Sequence, residues 1–119
     1  MDLPLRESRS VIIDAGGLGT LTLGPVPVSQ IWRIERMTIM LTGWAAGNPL
    51  AQCVVYQGSA ADDHLVDSTI LGGMDVSELP NPIYLHESET LTFVWSAATV
   101  GAQATAVVQG RRQDRGFPG

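Results

Sequence analysis

The chain contains no lysine, and all seven of its basic residues are arginine. This absence excludes a lysine nucleophile, a Schiff-base lysine and the phosphate-binding lysine of a P-loop. The single cysteine, Cys53, cannot form an internal disulfide. Cys53 lies in the apolar run 51–56, with no second cysteine or histidine at a zinc-site spacing. We therefore expect Cys53 to be a small buried hydrophobic residue.

Charged residues of either sign are also scarce. They make up 16% of the 119 residues, compared with about 25% in typical soluble domains. A monomer usually keeps a charged surface, so this scarcity predicts that other subunits cover part of the surface. A neutral surface rich in threonine, serine and glutamine is the alternative. The net charge of −5 disfavours direct binding to the phosphates of nucleic acid.

Histidine occurs only at positions 64 and 86, which limits acid–base chemistry near neutral pH. His86 is followed by Glu87, Ser88 and Glu89. Adjacent residues on a turn diverge, whereas the members of a catalytic triad converge from distant segments. We therefore predict a turn at 86–89, no catalytic residue, and a protein that is not an enzyme.

Acidic side chains are densest at Asp62 and Asp63, beside His64 and close to Asp67. Carboxylate oxygens in such a group would suit Ca²⁺. Their spacing is not that of an EF-hand loop, and a solvated loop capped by aspartates explains the same residues. We predict no metal ligand and no cofactor.

Long apolar runs are absent as well. No stretch approaches the ~18 residues of a membrane span. The N-terminal residues 1–6 lack the apolar core of a signal peptide. We therefore expect no membrane partner and synthesis in a cytoplasm.

Alternation of apolar and polar residues occupies most of the chain. In the run 90–96, Leu91, Phe93 and Trp95 fall on one face and hydroxyl residues fall on the other. This period of two is typical of a half-buried antiparallel strand.

The longest run, 30–42, holds five large apolar residues that change parity halfway: Trp32, Ile34, Met37, Ile39 and Leu41. One extra residue at Glu35 or Arg36, a β-bulge, would bring all five to one face. The alternative is a strand that is apolar on both faces because a neighbour covers the second one.

About eight such strands, spaced roughly 8–14 residues apart, predict an all-β fold. Helical periodicity of useful length is absent. The expected form is a single antiparallel β-sandwich, jelly-roll-like, over residues 10–110. We expect a flexible N-terminal arm at 1–9 and an arginine-containing flexible tail at 111–119.

Four stretches resemble those of small β-sandwich virion proteins from tailed bacteriophages that infect actinobacteria. They are Gln30–Ile34, Cys53–Gly58, His64–Thr69 followed by Gly72, and Glu89–Trp95 followed by Gly101. Together they cover about residues 28–110. The resemblance implies a non-enzymatic structural protein of the capsid or tail: a decoration protein, a minor tail protein or a fibre module.

We therefore expect the protein in the virion, associated with itself, a trimer being favoured, and with major capsid or tail proteins. The candidate contact residues are one loop tryptophan and members of both terminal segments: Leu3, Leu5, Arg6, Trp44, Arg111, Arg112, Arg115 and Phe117. The basic tail would lie on the acidic body of a neighbouring subunit; an inert tail or a weak nucleic-acid contact are the alternatives. The alternative function is a glycan- or receptor-binding module of a phage fibre, which needs a concave site with an exposed aromatic side chain.

Overall fold

The computed structural model describes residues 2–42, 50–58, 64–71 and 74–114. These residues form eight β-strands: β1 (Asp2–Ile12), β2 (Gly19–Leu23), β3 (Gln30–Thr42), β4 (Ala51–Gln57), β5 (Leu65–Leu71), β6 (Met74–Leu85), β7 (Leu91–Ser96) and β8 (Gln103–Asp114). The all-β prediction and the number of strands are confirmed. In the described ranges, no helix is long and apolar enough to cross a membrane.

The strands form two antiparallel sheets of four strands each. Sheet A has the order β1-β8-β3-β6, and sheet B has the order β2-β7-β4-β5. Each sheet therefore combines strands that are far apart in the sequence. The first described strand lies beside the last one.

Apolar side chains from both sheets fill one hydrophobic core. Sheet A contributes Ile34 and Met37, and sheet B contributes Val55, Phe93 and Trp95, all 0% exposed. The rings of Phe93 and Trp95 stack with their centroids 6.2 Å apart. Burying a side chain of this size contributes about 1.5–3 kcal/mol, so this shared core is the main force that holds the β-sandwich-like fold together.

The β-bulge predicted in β3 is confirmed. The register of β3 against β8 shifts between Ile34 and Arg36. The shift brings the five apolar residues of the run to the core, with exposed fractions of 0–4%: Trp32, Ile34, Met37, Ile39 and Leu41. Gly110 lies opposite Ile34, and a Cβ atom on it would overlap the carbonyl oxygen of Arg33. The bulge therefore requires glycine on the facing strand.

The arm predicted over residues 1–9 is wrong for residues 2–9, which belong to β1. This strand pairs with β8 from Asp2, opposite Gln113, to Ile12, opposite Gln103. Pro4 and the mixed charges misled the prediction. β1 is an edge strand, where a proline is tolerated because its missing N–H costs no ladder hydrogen bond.

The tail predicted over 111–119 is wrong for residues 111–114. Arg111 and Arg112 lie in β8, between β1 and β3. The end of β8 is polar because much of its surface faces water, and this polarity resembled that of a tail. Residues 115–119, with Arg115 and Phe117, lie outside the described residues.

The region 74–85 carries two prolines and no regular alternation. It is a single edge strand, β6, that contains Pro80 and Pro82. Its register against β3 jumps at the bulge, from Ile83 opposite Ile34 to Glu78 opposite Arg36. Prolines are tolerated in such an irregular edge strand.

Candidate binding face on the outer side of sheet A

The outer side of sheet A carries most of the arginines in the described residues. Because Ile34, Met37 and Val108 point into the core, their neighbours along β3 and β8 point away from it. At the bulge, two adjacent rows cross the sheet on this outer side. The first row is Arg6, Gln109 and Arg36, and the second is Pro4, Arg111, Arg33 and Tyr84.

We call the four arginines of these rows the arginine face: Arg6, Arg33, Arg36 and Arg111. All four residues are exposed. Neighbouring strands are about 4.8 Å apart, and second neighbours along a strand are about 6.7 Å apart. Four guanidinium groups on long side chains thus arise from a patch of roughly 10 by 7 Å.

Arg33 and Arg111 lie directly opposite each other on β3 and β8. Like charges at opposite positions destabilise a sheet. Partial compensation comes from Glu35, whose Oε2 lies 3.2 Å from Nε of Arg33. Glu78 on β6 lies across from Arg36 in the register. Four arginines thus lie close together in a chain whose net charge is −5.

Two shallow depressions lie on this surface. The larger, about 490 Å³, surrounds the bulge and is lined by Pro4, Leu5, Glu35, Arg36, Gln109, Gly110 and Arg111. The smaller, about 190 Å³, is lined by Ile31, Arg33, Tyr84, Arg111 and Gln113. Arg111 lines both, so the depressions meet at its side chain. The ring of Tyr84 borders the smaller one, and that residue is 50% exposed.

An acidic turn, residues 86–90, connects β6 of sheet A to β7 of sheet B. Glu87 accepts a 2.9 Å hydrogen bond from the backbone N–H of Ser29. Glu89 accepts one of 2.6 Å from the N–H of His86, and its Oε1 lies 3.2 Å from Nδ1 of that residue. Both glutamates remain exposed. The turn predicted at 86–89 is confirmed, and its own carboxylates fix its shape.

The opposite end of the molecule exposes large apolar side chains. The β1–β2 turn and the β7–β8 turn are held together there by the N–H of Ile13 donating to Ala102 at 2.9 Å and the N–H of Ala98 donating to Gly17 at 3.0 Å. Four residues that are 49–62% exposed lie at this end of the strands: Ile12, Leu18, Leu50 and Val100. We call this group the apolar end. Other exposed hydrophobic residues lie elsewhere: Val28, Leu65, Val66 and Tyr84.

The structure separates the contact residues predicted from the sequence. Arg6 and Arg111 both lie on the arginine face. Leu5 is 5% exposed and belongs to the core, so its side chain is not available to a partner. Leu3 is half-buried. Arg112 is also half-buried and lies near Asp114, with 3.3 Å between Nε and Oδ1.

Two further arginines of the face, Arg33 and Arg36, were missed in the sequence. Both residues face outward because the bulge at Glu35 shifts the alternation of inward and outward residues along β3. Tyr84 was missed because its strand was not recognised over its full length. Trp44 belongs to the segment 43–49, outside the described residues.

Cys53 is buried in β4, as predicted. Burial and the nearby negative charge of Asp67 raise the pKa of its thiol to about 12. The thiol therefore stays protonated at neutral pH. Asp62 and Asp63, from the group considered for Ca²⁺, lie outside the described residues. Within the described part of the chain, His64 and Asp67 belong to no cluster that could hold a metal ion.

Comparisons with protein-family models, with curated proteins and with solved structures found no match to the chain. The assignment of function therefore depends on the surfaces described above and on the sequence pattern.

Proposed function

We propose that the chain is a non-enzymatic structural protein of a tailed-phage virion, bound on the capsid or tail surface through contacts between subunits. The apolar end carries this proposal. Ile12, at the end of β1, and Val100, in the β7–β8 turn, are 62% and 60% exposed there, beside backbone hydrogen bonds that join the two turns. Clustered apolar side chains on a rigid surface are typical of sites that bind another protein.

The order of the strands supports the jelly-roll form of the fold. β1 pairs with β8, β2 with β7, β3 with β6, and β4 with β5. This nested pairing is expected when one long antiparallel ribbon winds into two sheets. Jelly rolls occur in viral capsid proteins, lectins and cupins. Such an architecture agrees with a virion role, although a fold alone does not determine function.

The apolar end would bind the capsid or tail by burying its four side chains against a complementary surface. Each side chain would contribute up to about 1.5–3 kcal/mol when it is fully buried. A specific contact usually buries about 1,600 Å² in total, so neighbouring polar residues of the same turns would form its rim.

The test is incorporation into particles. The chain is expressed together with the capsid and tail proteins encoded beside its gene, and gradient-purified particles are analysed by quantitative mass spectrometry. We expect the wild type to be present in a fixed ratio to the capsid or tail protein. We expect I12S/V100S to be depleted at least tenfold.

The matched control is Leu65→Ser. Leu65 is 53% exposed, but it lies at the start of β5, away from the apolar end. This variant should enter particles like the wild type. Absence of the wild-type chain from particles would overturn the proposal. Equal incorporation of the wild type and both variants would show that the apolar end is not the contact surface.

A glycan-binding module remains the second candidate because the smaller depression combines an exposed aromatic ring, Tyr84, with Arg33 and Arg111. Concave sites with an aromatic side chain and convergent polar groups are typical of ligand binding. Binding of the purified chain to a glycan array, abolished in Tyr84→Ala, would favour this function.

A further inference from the structure

We propose that the acidic turn of one copy docks onto the arginine face of the next copy, so that the chain assembles head to tail. This inference deepens the proposed function, because it identifies the surfaces through which the protein would associate with itself. It uses two surfaces that are distinct from the apolar end, and it can be tested on the purified chain alone.

The distribution of charge favours this partner. The chain has twelve acidic residues and seven arginines, and four of those arginines lie on the arginine face. The rest of the chain therefore carries more acidic residues than arginines, so a second copy is complementary in charge to the face. Complementary charges of this kind steer association and fix the orientation of the partners.

The acidic turn is the best acidic element among the described residues. Glu87 and Glu89 are both exposed and are separated by a single residue, Ser88. Each accepts a backbone hydrogen bond through Oε1, from Ser29 and from His86 respectively, whereas Asp114 lies 3.3 Å from the guanidinium of Arg112. Arginine binds carboxylates through two parallel hydrogen bonds, which adds geometric specificity.

Shape also fits. The larger depression, about 490 Å³, lies beside the bulge of β3 and is lined in part by Arg36 and Arg111. An exposed turn whose backbone is held by its own side chains can bind such a depression without reorganisation. Arginine and tyrosine are the residues enriched at the energetic centres of protein interfaces, and the face combines four arginines with the half-exposed Tyr84.

The two surfaces are different, so the contact is heterologous. A heterologous contact that is repeated by rotation closes into a ring, or continues as a filament if the rotation does not close. If the rotation closes after three copies, the ring is the trimer expected from the sequence.

Charge exchange tests the contact. The first variant, R6E/R111E, makes the face acidic, and the second, E87R/E89R, makes the turn basic. Each alone sets like charges against each other, so we expect each to be monomeric in analytical ultracentrifugation at low salt. Mixed in equal amounts, they restore both kinds of contact, because the altered face meets the altered turn and the native face meets the native turn. We therefore expect the mixture to form complexes that contain both variants.

Two single variants test whether the position of a positive charge matters, rather than the total charge of the chain. R111Q and R9Q remove the same charge, but Arg9 lies off the arginine face, where its guanidinium donates to the carbonyl of Thr22. We expect R111Q to weaken self-association about tenfold or more, as for a lost charge pair at an interface, and R9Q to leave it unchanged. If E87R/E89R fails to fold by circular dichroism, E87Q/E89Q removes the same negative charges and keeps the hydrogen-bond acceptors.

Several outcomes would overturn this inference. They are a wild-type chain that is monomeric at low salt, variants that associate like the wild type, and a mixture that stays monomeric. A monomeric wild type that binds acidic glycans through Arg111 would assign the face to a glycan instead. A monomeric wild type that still enters particles would refute the head-to-tail contact and leave the proposed function intact.

Discussion

Gly110 of β8 lies directly opposite Ile34 of β3, at the point where β3 carries one residue more than its partner. The backbone of β3 approaches β8 so closely here that a Cβ atom on Gly110 would overlap the carbonyl oxygen of Arg33 and lie 3.0 Å from the nitrogen of Glu35. One glycine thus permits the bulge, and the bulge directs both the core side chains and the arginine face.

Gly110→Ala should destabilise the protein by about 3 kcal/mol, the upper part of the range for overpacking, because backbone atoms must move. Urea unfolding, monitored by tryptophan fluorescence, measures the change. Gly16→Ala is the control: its Cβ would have ordinary contact with Asp14, at 3.4 Å. We expect the control to change stability by less than about 0.5 kcal/mol; equal effects of both substitutions would contradict this account of the bulge.

Deletion of Glu35 should remove the extra residue of the bulge and turn Trp32 and Ile34 to the opposite face of sheet A. Exposing these two side chains costs about 1.5–3 kcal/mol each, so we expect a loss of roughly 3–6 kcal/mol in the free energy of unfolding. Glu35→Gln loses only an exposed ion pair with Arg33, worth less than about 1 kcal/mol. A deletion variant as stable as E35Q would show that the bulge does not set the register.

Thr92 is 8% exposed, and its hydroxyl donates a hydrogen bond to the carbonyl oxygen of Gly58. Thr92→Val leaves that acceptor without its donor, which should cost about 1–2 kcal/mol. Thr22 lies opposite Thr92 on β2 and is half-buried. Thr22→Val should therefore change the free energy of unfolding much less, and a larger effect at Thr22 would refute the role given to the hydroxyl.

The Cys53 thiol should make stability depend on pH in alkaline solution. Its pKa is raised from 9.0 to about 12 in the folded protein, so the unfolded chain loses the proton first. The contribution is fully present below pH 9 and is lost between pH 9.0 and about 12, with a slope of up to about 1.4 kcal/mol per pH unit. Cys53→Ala should be less sensitive to pH in that window when both proteins are unfolded with urea. Parallel curves for the two proteins would contradict the shift.

The same burial protects the thiol from reagents. A thiol-specific probe at pH 8 should label Cys53 only after unfolding, because the protein keeps it both protonated and inaccessible. Rapid labelling of the folded chain would contradict its position in the core.

Some of this architecture could be predicted from local pattern. The alternation in β7 identifies the core positions Leu91, Phe93 and Trp95, and the change of parity in β3 locates the bulge, because both signals arise within a single strand. The residues 2–9 could not be assigned in this way. β1 is held by its pairing with β8, and an edge strand with Pro4 and four charged residues carries no local mark of that pairing.

The arginine face could not be predicted from local pattern either, for the same reason. Arg6 and Arg111 are 105 positions apart in the sequence, and only the register of β1 against β8 brings them to one surface. Their partner Arg33 is in a strand that was recognised, but its outward direction follows only once the bulge is fixed. The roles of Trp44, Arg115 and Phe117 stay predictions, since these residues lie outside the described part of the chain.

The nested order of the strands determines when the protein can fold during its synthesis. β8 is translated after β1 and β3, yet it lies between them in sheet A. On the ribosome, β1 therefore waits without a neighbour in its sheet until Asp114 has emerged, and its unpaired edge is open to other nascent chains. Because its long-range contacts form last, we expect a chain of this topology to fold more slowly than a protein whose strands pair in sequence order.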